Sequence, residues 1–401
     1  MMKHFRNIFI AFFISEFGRA MYFVSITWVL YEMTDDPFYT GALVGFGFLP
    51  GLLLNLFFGV AVDRFNRKKL SVFANLLCTF SMTILLTLFV IDSVEPWFII
   101  AVHMVLQVAG SLFRPAIQAF IAECFGKEFL PKIFSQSSSA AIVGGLLGAS
   151  SGGLIISIIP VTATLLIVTV CFAIASVSLM MINSVVETKR GGVERNSIGK
   201  DIVDGFIYIK KNKFLLGLFI IMFNGQLVFH TSIGFLSVYT VDYLQKSSTV
   251  YGFMDATISV GGVLAGILGT WWWKKGNNRI ALYSLFIVFI GLLCVGAAPF
   301  IHLSFLGIFL IGLGTTWIRV LLQSVQQMAT DSAYHGRMAS YRMIGNQGSV
   351  VISAPLLGWV ASHFGANYIY ISLLIPISIC IVFSIIQSNQ EKFRSITSKI
   401  A

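Results

Sequence analysis

Charged side chains are scarce in this sequence. Lysine, arginine, aspartate and glutamate together make up 11% of its 401 residues, whereas 57% are hydrophobic. A typical soluble domain carries roughly 25% charged residues. The scarcity of charge excludes an ordinary soluble protein and predicts a chain embedded in a lipid bilayer.

Cysteine is also sparse, and its spacing indicates no site. Four of the five cysteines stand inside apolar runs, and Cys124 stands at the end of one. These positions predict packing residues rather than a disulfide framework. The sequence also lacks histidine pairs at metal-ligand spacing and a convincing Ser/His/Asp set, which argues against a membrane-embedded transferase or hydrolase. We therefore expect no metal, no cofactor and no enzymatic activity.

Long apolar runs are abundant. Twelve of them approach 20 residues, the length that an α-helix needs to cross the hydrocarbon core of a bilayer. They are predicted at 8–32, 41–62, 70–91, 96–121, 133–158, 162–183, 214–241, 250–273, 280–300, 303–323, 338–362 and 367–386. The expected fold class is an all-α membrane protein with twelve transmembrane helices.

The loops between these runs differ strongly in charge. Nearly all lysines and arginines fall in one set of loops, and the opposite set holds only Lys246. Basic loops are retained in the cytoplasm, so both termini are expected there, in a multi-pass protein of the cell membrane. The same scatter excludes nucleic-acid binding as the reason for the net charge of +10, because the basic residues form no patch.

A long polar insert separates six runs from six. The predicted domains are an N-terminal bundle at 1–184, a cytoplasmic linker at 185–213 and a C-terminal bundle at 214–401. A shift of 205 positions superimposes Arg114 on Arg319 and Gln118 on Gln323. Because an Arg-x-x-x-Gln motif inside an apolar run is rare, we interpret the fourth and tenth helices as equivalents in two six-helix pseudo-repeats.

A glycine, an acid and a basic cluster follow one another between the second and third runs. Gly59 lets helices approach closely, and Asp63 stands near a helix end, ahead of basic residues that face anionic lipid. A positively charged anchor alone would explain the basic residues but not Gly59 and Asp63. The stretch resembles the signature loop of the major facilitator superfamily, with Asn66 where glycine is commoner.

That resemblance implies a secondary transporter that works by alternating access. It also implies an inter-helix latch that stabilises the outward-facing state. The latch residues would be Asp63, Arg64 and Arg67, beside Gly59, with Glu123 as a partner. The corresponding loop of the second half, 269–279, keeps the basic residues but lacks the aspartate.

Glycines recur along one face of the fifth run, at Gly144, Gly148, Gly152 and Gly153. Small residues on one face permit close helix contact, and ordinary tight packing is one explanation for them. Their spacing also resembles the glycine-rich signature in the fifth helix of proton-coupled antiporters, with Ala149 replacing the usual proline. This second resemblance implies an exporter driven by the proton gradient.

A further resemblance is carried by the stretches 15–18, 28–34, 49–50 and 112–119. They are similar to the branch of the superfamily that holds macrolide efflux proteins, the enterobactin exporter and the staphylopine exporter. The resemblance implies exported natural products, including metallophores.

A few arginines stand inside the apolar runs, where a charged group costs at least ~2.5–3.5 kcal/mol. Arg114 and Arg319 have no acidic residue within a helical turn, and both lie on helices that line the central cavity in the superfamily. Arginine grips carboxylates with a planar fork that stays charged. We therefore expect Arg114 and Arg319 to bind an anionic substrate, together with Gln118, Gln323 and Arg19.

Other polar residues in the runs have two interpretations. For Arg19 a salt bridge with Glu16 is left open, and for Arg342 snorkelling to the cytoplasm is the favoured explanation. The further substrate-binding candidates are His103, Asn224 and His230, although a lone intramembrane histidine more often satisfies a hydrogen bond. Glu16 and Asp255 are the predicted proton carriers.

These observations predict a secondary active exporter that exchanges protons for a small carboxylate-bearing metabolite, such as a metallophore or siderophore. Its expected partners are the substrate and the bilayer, and it is expected to act as a monomer. Macrolide or multidrug efflux is the alternative substrate class. A sensor or scaffold that transports nothing is the alternative of another kind.

Overall fold

The computed structural model describes residues 2–125, 129–182, 206–297, 299–331 and 334–398. Within these ranges the chain forms helices and no strands, and twelve helices have at least 18 residues. They are α1 (Met2–Thr34), α2 (Pro37–Arg64), α3 (Arg67–Val90), α4 (Pro96–Cys124), α5 (Leu130–Ile156), α6 (Val161–Met180), α7 (Lys213–Gly234), α8 (Ser248–Ile267), α9 (Ile280–Ala297), α10 (Ile301–Ala329), α11 (His335–Phe364) and α12 (Asn367–Ser388). The predicted all-α fold is confirmed.

Short polar side chains and prolines start several of these helices. Asp36 caps α2 by accepting a hydrogen bond from the backbone N–H of Phe38 at 2.9 Å, and Asn66 caps α3 in the same way through Lys69 at 2.9 Å. Such caps satisfy N–H groups that the first helical turn leaves without partners. Asn66, which replaces a commoner glycine in the signature loop, therefore has a structural use of its own.

Eleven helical segments of the described chain are long and apolar enough to cross a membrane. The helix that does not qualify is α11, although it has 30 residues. Its first turns carry Arg337, Arg342, Asn346 and Gln347, which lower the hydropathy of the segment. The eleventh predicted span, 338–362, is therefore present as a helix but is less apolar than a typical span.

Two predicted spans are shorter in the structure. α7 ends at Gly234 and gives way to a short helix, Leu236–Val238, and a π-helical turn, Tyr239–Tyr243. The Tyr239 hydroxyl donates to the Val295 carbonyl oxygen at 2.7 Å, which ties this turn to α9. Likewise α8 ends at Ile267, and a separate helix, Gly269–Gly276, follows. Hydropathy alone does not reveal either break, because the sequence stays apolar across both.

The chain divides into two compact units. Unit 1 comprises Met1–Gly192 and Lys246–Ala256, and unit 2 comprises Val193–Gln245 and Thr257–Ala401. In unit 1, α1 packs on α5 and α6, and α3 packs on α4 and α6. In unit 2, α7 packs on α11 and α12, and α9 packs on α10 and α12. Adding six to each helix number of unit 1 gives the pairs of unit 2, which confirms the pseudo-repeats.

The predicted linker, 185–213, lies outside the described residues as far as residue 205. Residues 206–211 form a helical turn that precedes α7. The proposed division into two bundles and a linker stays a prediction.

Candidate functional site

The carboxylate of Glu16 lies between two guanidinium groups in unit 1. Its Oε2 atom is 3.7 Å from Nε of Arg19, one turn further along α1, and its Oε1 atom is 3.8 Å from Nη2 of Arg114 on α4. Both distances suit an ion pair but exceed hydrogen-bond length. We call these three residues the Glu16 cluster; their formal charges sum to one positive charge.

The members of the Glu16 cluster differ in accessibility. The side chain of Arg114 is 69% exposed, whereas those of Glu16 and Arg19 are each 19% exposed. Arg19 fits against α4 because position 110 is glycine; a Cβ atom on Gly110 would lie 2.7 Å from Nη1 of Arg19. Gln118 is also exposed, one turn beyond Arg114. Arg114 therefore keeps donors available to a ligand while the rest of the cluster is largely enclosed.

The sequence-based view of Arg114 was incomplete in one respect. It correctly found no acid within a turn on the same helix, but α1 supplies Glu16 from the side. The open alternative for Arg19, a salt bridge with Glu16, is also present. Glu16 thus pairs with both arginines at once.

His103 lies in an aromatic enclosure of unit 1. Its ring is 5.9 Å from the rings of Tyr22 and Phe23, and its Nε2 atom is 3.3 Å from Nε2 of Gln107. Gly47 of α2 makes room for the imidazole, since a Cβ atom there would lie 2.6 Å from it. Only 3% of His103 is exposed. This environment favours the packing interpretation of His103 over direct substrate contact.

The second predicted arginine has a different neighbour. In unit 2 the Cζ atom of Arg319 lies 5.6 Å from the centroid of the Phe229 ring, within the range of a cation–π interaction. Phe229 in turn makes an edge contact with His230 at 5.3 Å. Asn224 donates to the Ile220 carbonyl oxygen of its own helix at 2.8 Å. Gln323 is half-buried one turn beyond Arg319.

Asp255 belongs to the part of α8 that groups with unit 1. It is buried, with 8% exposure. One turn earlier, the Tyr251 hydroxyl lies 2.6 Å from Oγ1 of Thr27, and the Tyr251 ring stacks on Trp28 at 6.1 Å. These contacts fix the start of α8 against α1, and Asp255 is held in the same packed region.

The glycines of α5 form a packing seam with α1. A Cβ atom on Gly144 or Gly148 would collide with the backbone of Phe13 or Phe17, and one on Gly152 would lie 3.1 Å from the backbone of Met21. Both sets recur every four residues, so the two helices approach along one continuous stripe. Gly153 lies beside the seam, and a Cβ atom there would be 2.6 Å from the Cα atom of Gly252. Close packing explains all four glycines, and their link to export stays a prediction.

The signature loop is tied to two other helices of unit 1. Arg67 at the start of α3 forms an ion pair with Glu123 near the end of α4. Lys68 donates to the Met180 carbonyl oxygen of α6 at 2.8 Å. Arg64 is exposed, and the side chain of Asp63 and the surroundings of Gly59 lie outside what the structure describes. The Arg67–Glu123 pair joins α3 to α4; its role as a latch in a transport cycle stays a prediction.

The amino-acid sequence assigns this arrangement of helices to one protein family. The sequence profile of the Major Facilitator Superfamily matches residues 8–301 and 231–397. The chain belongs to the Major Facilitator Superfamily. It is therefore a transporter and not an enzyme, as its sequence predicted.

Curated relatives of this superfamily member are similar along most of the chain. The multi-drug resistance efflux pump PmrA of Streptococcus pneumoniae is 24% identical, over 87% of this chain and 86% of its own length. Macrolide efflux protein A of Streptococcus pyogenes is 22% identical, over 89% and 87%. The staphyloferrin A transporter of Staphylococcus aureus is 21% identical, over 88% and 89%. These names confirm the expected resemblance to efflux proteins.

Solved structures show the same fold. The nucleoside transporter NupG superimposes with a TM-score of 0.79 over 96% of this chain and 99% of its own, at 11% sequence identity. At that identity the likeness concerns the fold alone.

Two polar contacts of unit 2 were missed at the sequence level. Arg342 has a protein partner, because its Nη1 atom donates to Oε1 of the buried Gln326 at 3.1 Å; snorkelling stays a prediction. The Tyr208 hydroxyl donates to Oδ2 of Asp331 at 3.0 Å, and its ring stacks on Tyr334 at 4.1 Å. Burial raises the pKa of the Tyr208 phenol, so it remains a donor at neutral pH. Polar residues inside apolar runs were a usable signal for Arg342, but nothing in the sequence pairs Tyr208 with Asp331.

Proposed function

We propose that this protein exports a small carboxylate-bearing metabolite, such as a metallophore or siderophore, by alternating access in exchange for protons. The proposal rests on the Glu16 cluster, where Arg114 keeps a largely exposed guanidinium group on a helix apolar enough to span a membrane. Unneutralised charge in such a helix is costly, and a substrate carboxylate would complete the neutralisation. The staphyloferrin A transporter among the relatives supports this substrate class.

The substrate and the exchanged proton are assigned to different binding sites. Glu16 and a bound carboxylate compete for Arg114, so substrate binding releases Glu16 and favours its protonation. An antiporter needs the opposite relation, because the proton must leave when substrate binds. We therefore assign Glu16 to tuning substrate affinity and Asp255, the buried carboxyl group on α8, to carrying the proton.

We infer the orientation of this transporter in the membrane from its loop charges. We place it as a monomer in the cell membrane, with both termini in the cytoplasm, where the basic loops are retained. The proton gradient supplies the energy, and no cofactor takes part. The Arg67–Glu123 pair acts as the latch of the signature loop.

Uptake into inverted vesicles tests the proposal. A citrate-based siderophore should accumulate when a proton gradient is imposed and should not accumulate without it. Arg114→Gln should reduce the uptake, whereas Arg279→Gln, the same change at an exposed position at the start of α9, should leave it unchanged. Uptake that is equal in both variants would contradict a role for Arg114 in substrate binding.

Macrolide or multidrug efflux is the second candidate function. It is favoured by the names of two relatives, PmrA and macrolide efflux protein A. Gradient-driven accumulation of erythromycin that survives Arg114→Gln would favour this candidate over the first. If neither probe accumulates, a sensor or scaffold without transport becomes the better description.

A further inference from the structure

A groove of about 320 Å³ lies between α7 and α12 in unit 2. Its walls are Leu216, Ile220, Phe383 and Ile386, with Lys213 and Gln390 at one end. Leu216, Phe383 and Ile386 are 42%, 38% and 56% exposed. Because α7 and α12 are both candidate membrane spans, these exposed apolar walls lie at the depth of lipid acyl chains.

The floor of the groove holds a buried polar group. Gln387 is 3% exposed, and its Nε2 atom donates to the Phe214 carbonyl oxygen at 2.8 Å. Its Oε1 atom has no hydrogen-bond partner among the described residues. Gly217 lets the Gln387 amide pack against α7, since a Cβ atom there would collide with this amide. Because Oε1 is itself buried, this amide closes the groove from below and offers a ligand no exposed acceptor.

The end of the groove is strongly basic. Lys213 lines this end, Lys210 and Lys211 precede it in the sequence, and the C-terminal helix Glu391–Ser398 carries Lys392 and Arg394; Glu391 is the acid of that helix. This helix packs on the start of α7, where Nζ of Lys392 lies 5.6 Å from the Phe214 ring and Phe393 makes an edge contact with Phe214 at 6.1 Å. Apolar walls therefore lead to a positively charged end.

We propose that this groove binds an anionic glycerophospholipid, such as phosphatidylglycerol. One acyl chain lies along the apolar walls, and Lys213 pairs with the phosphate. A soluble anion would leave the apolar walls uncovered, and a zwitterionic lipid would leave the basic end without compensation. The site is independent of the substrate proposal, since neither Arg114 nor Arg319 takes part.

Native mass spectrometry of the full-length protein tests this site. Equimolar phosphatidylglycerol and phosphatidylcholine with identical acyl chains are offered in detergent, and the wild-type protein should retain phosphatidylglycerol preferentially. Lys213→Gln should lower its affinity for phosphatidylglycerol about fivefold, the effect of roughly one lysine at an anionic lipid surface. Lys275→Gln, which removes an exposed lysine stacked on Trp271, is the matched control and should change nothing.

A second pair of variants tests the apolar walls. Leu216→Trp should fill the groove and reduce retention of phosphatidylglycerol, while Leu306→Trp, at a similarly exposed position of α10, should not. Equal retention of the two lipids by the wild type, or equal loss in the Lys213 and Lys275 variants, would overturn the proposal. So would cross-linking of a cysteine at position 216 to segment 183–205 or to a second copy, because the groove would then have a protein occupant.

Discussion

The two units place different side chains at equivalent positions. In unit 1 Arg114 pairs with the carboxylate of Glu16, whereas in unit 2 the equivalent Arg319 lies over the ring of Phe229. The 205-residue shift puts the buried Ile221 where unit 1 has Glu16. A carboxylate competes with an anionic ligand for the guanidinium group, whereas an aromatic ring supports the cation without competing for its donors. Both units therefore keep the arginine, but its neighbour is a competing carboxylate in unit 1 and an aromatic ring in unit 2.

The two units also differ in how equivalent helices contact each other. α1 and α5 of unit 1 meet along a glycine seam, but Ser349 and Ser353 stand at the shifted positions of Gly144 and Gly148. In unit 2 the ring of Phe223 on α7 lies against Gly345 of α11. Backbone contact in one unit is replaced by aromatic contact in the other. Of these two helix pairs, α1–α5 is accordingly the one that added side-chain volume should disturb more.

The glycine seam gives the largest expected effect. Gly148→Ala places a methyl group against the Phe17 backbone, which can yield only by separating α1 from α5. Overpacking of this kind costs about 1–3 kcal/mol, which for a chain of this length corresponds to a fall of roughly 1–4 °C in the thermal unfolding midpoint of the detergent-solubilised protein. Gly145→Ala is the matched control, because nothing lies within 4 Å of a Cβ atom there. Equal midpoints for the two variants would show that the seam tolerates separation.

Arg114→Gln gives the next largest effect. We expect the half-saturating concentration of a carboxylate substrate to rise about tenfold, the low end for a charged hydrogen bond, because the side chain is 69% exposed and partly screened by solvent. Arg114→Lys keeps the charge without the planar fork and should fall between. Concentration-dependent vesicle uptake measures both. A lysine variant as poor as glutamine would mean that geometry outweighs charge.

Glu16→Gln makes unit 1 resemble unit 2 more closely and should have a smaller effect, in the opposite direction. Removing the competing carboxylate should strengthen binding of a carboxylate substrate about fivefold, while transport remains driven by the proton gradient. The measurement is substrate affinity and gradient dependence in the same vesicles. Loss of gradient dependence would return the proton-carrying role to Glu16 and count against Asp255.

Phe229→Leu should have the smallest effect. It removes an aromatic face worth about 0.5–1 kcal/mol to Arg319, so substrate affinity should fall roughly two- to fivefold. Phe229→Tyr keeps the ring and should behave like the wild type in the same uptake assay. If Phe229→Leu matched Arg114→Gln, the proposed difference between the units would be lost.

Much of the fold could be predicted from the sequence because length and hydropathy decide which segments cross a bilayer. The Arg-x-x-x-Gln repeat correctly paired the fourth and tenth helices, since polar residues in apolar runs are too rare to match by chance. The ends of α7 and α8 could not be predicted. They depend on contacts such as that of Tyr239 with α9, not on a change in composition.

The candidate site was predictable only as a set of residue types. Arg114 and Glu16 were both recognised, but their pairing requires α1 to lie beside α4 at one particular rotation. The enclosure of His103 by Tyr22 and Phe23 likewise depends on packing between helices. A single sequence gives the period of a helix but not the rotation of one helix against another.

Binding to the purified protein tests the central claim most directly. A citrate-based siderophore and its methyl ester are titrated against the wild type and Arg114→Gln, which forms a double-mutant cycle between the carboxylate and the arginine. If Arg114 binds the carboxylate, esterification and substitution should each weaken binding, and together they should weaken it little more than either alone. Strictly additive losses, or an ester that binds the wild type as tightly as the free acid, would contradict the claim.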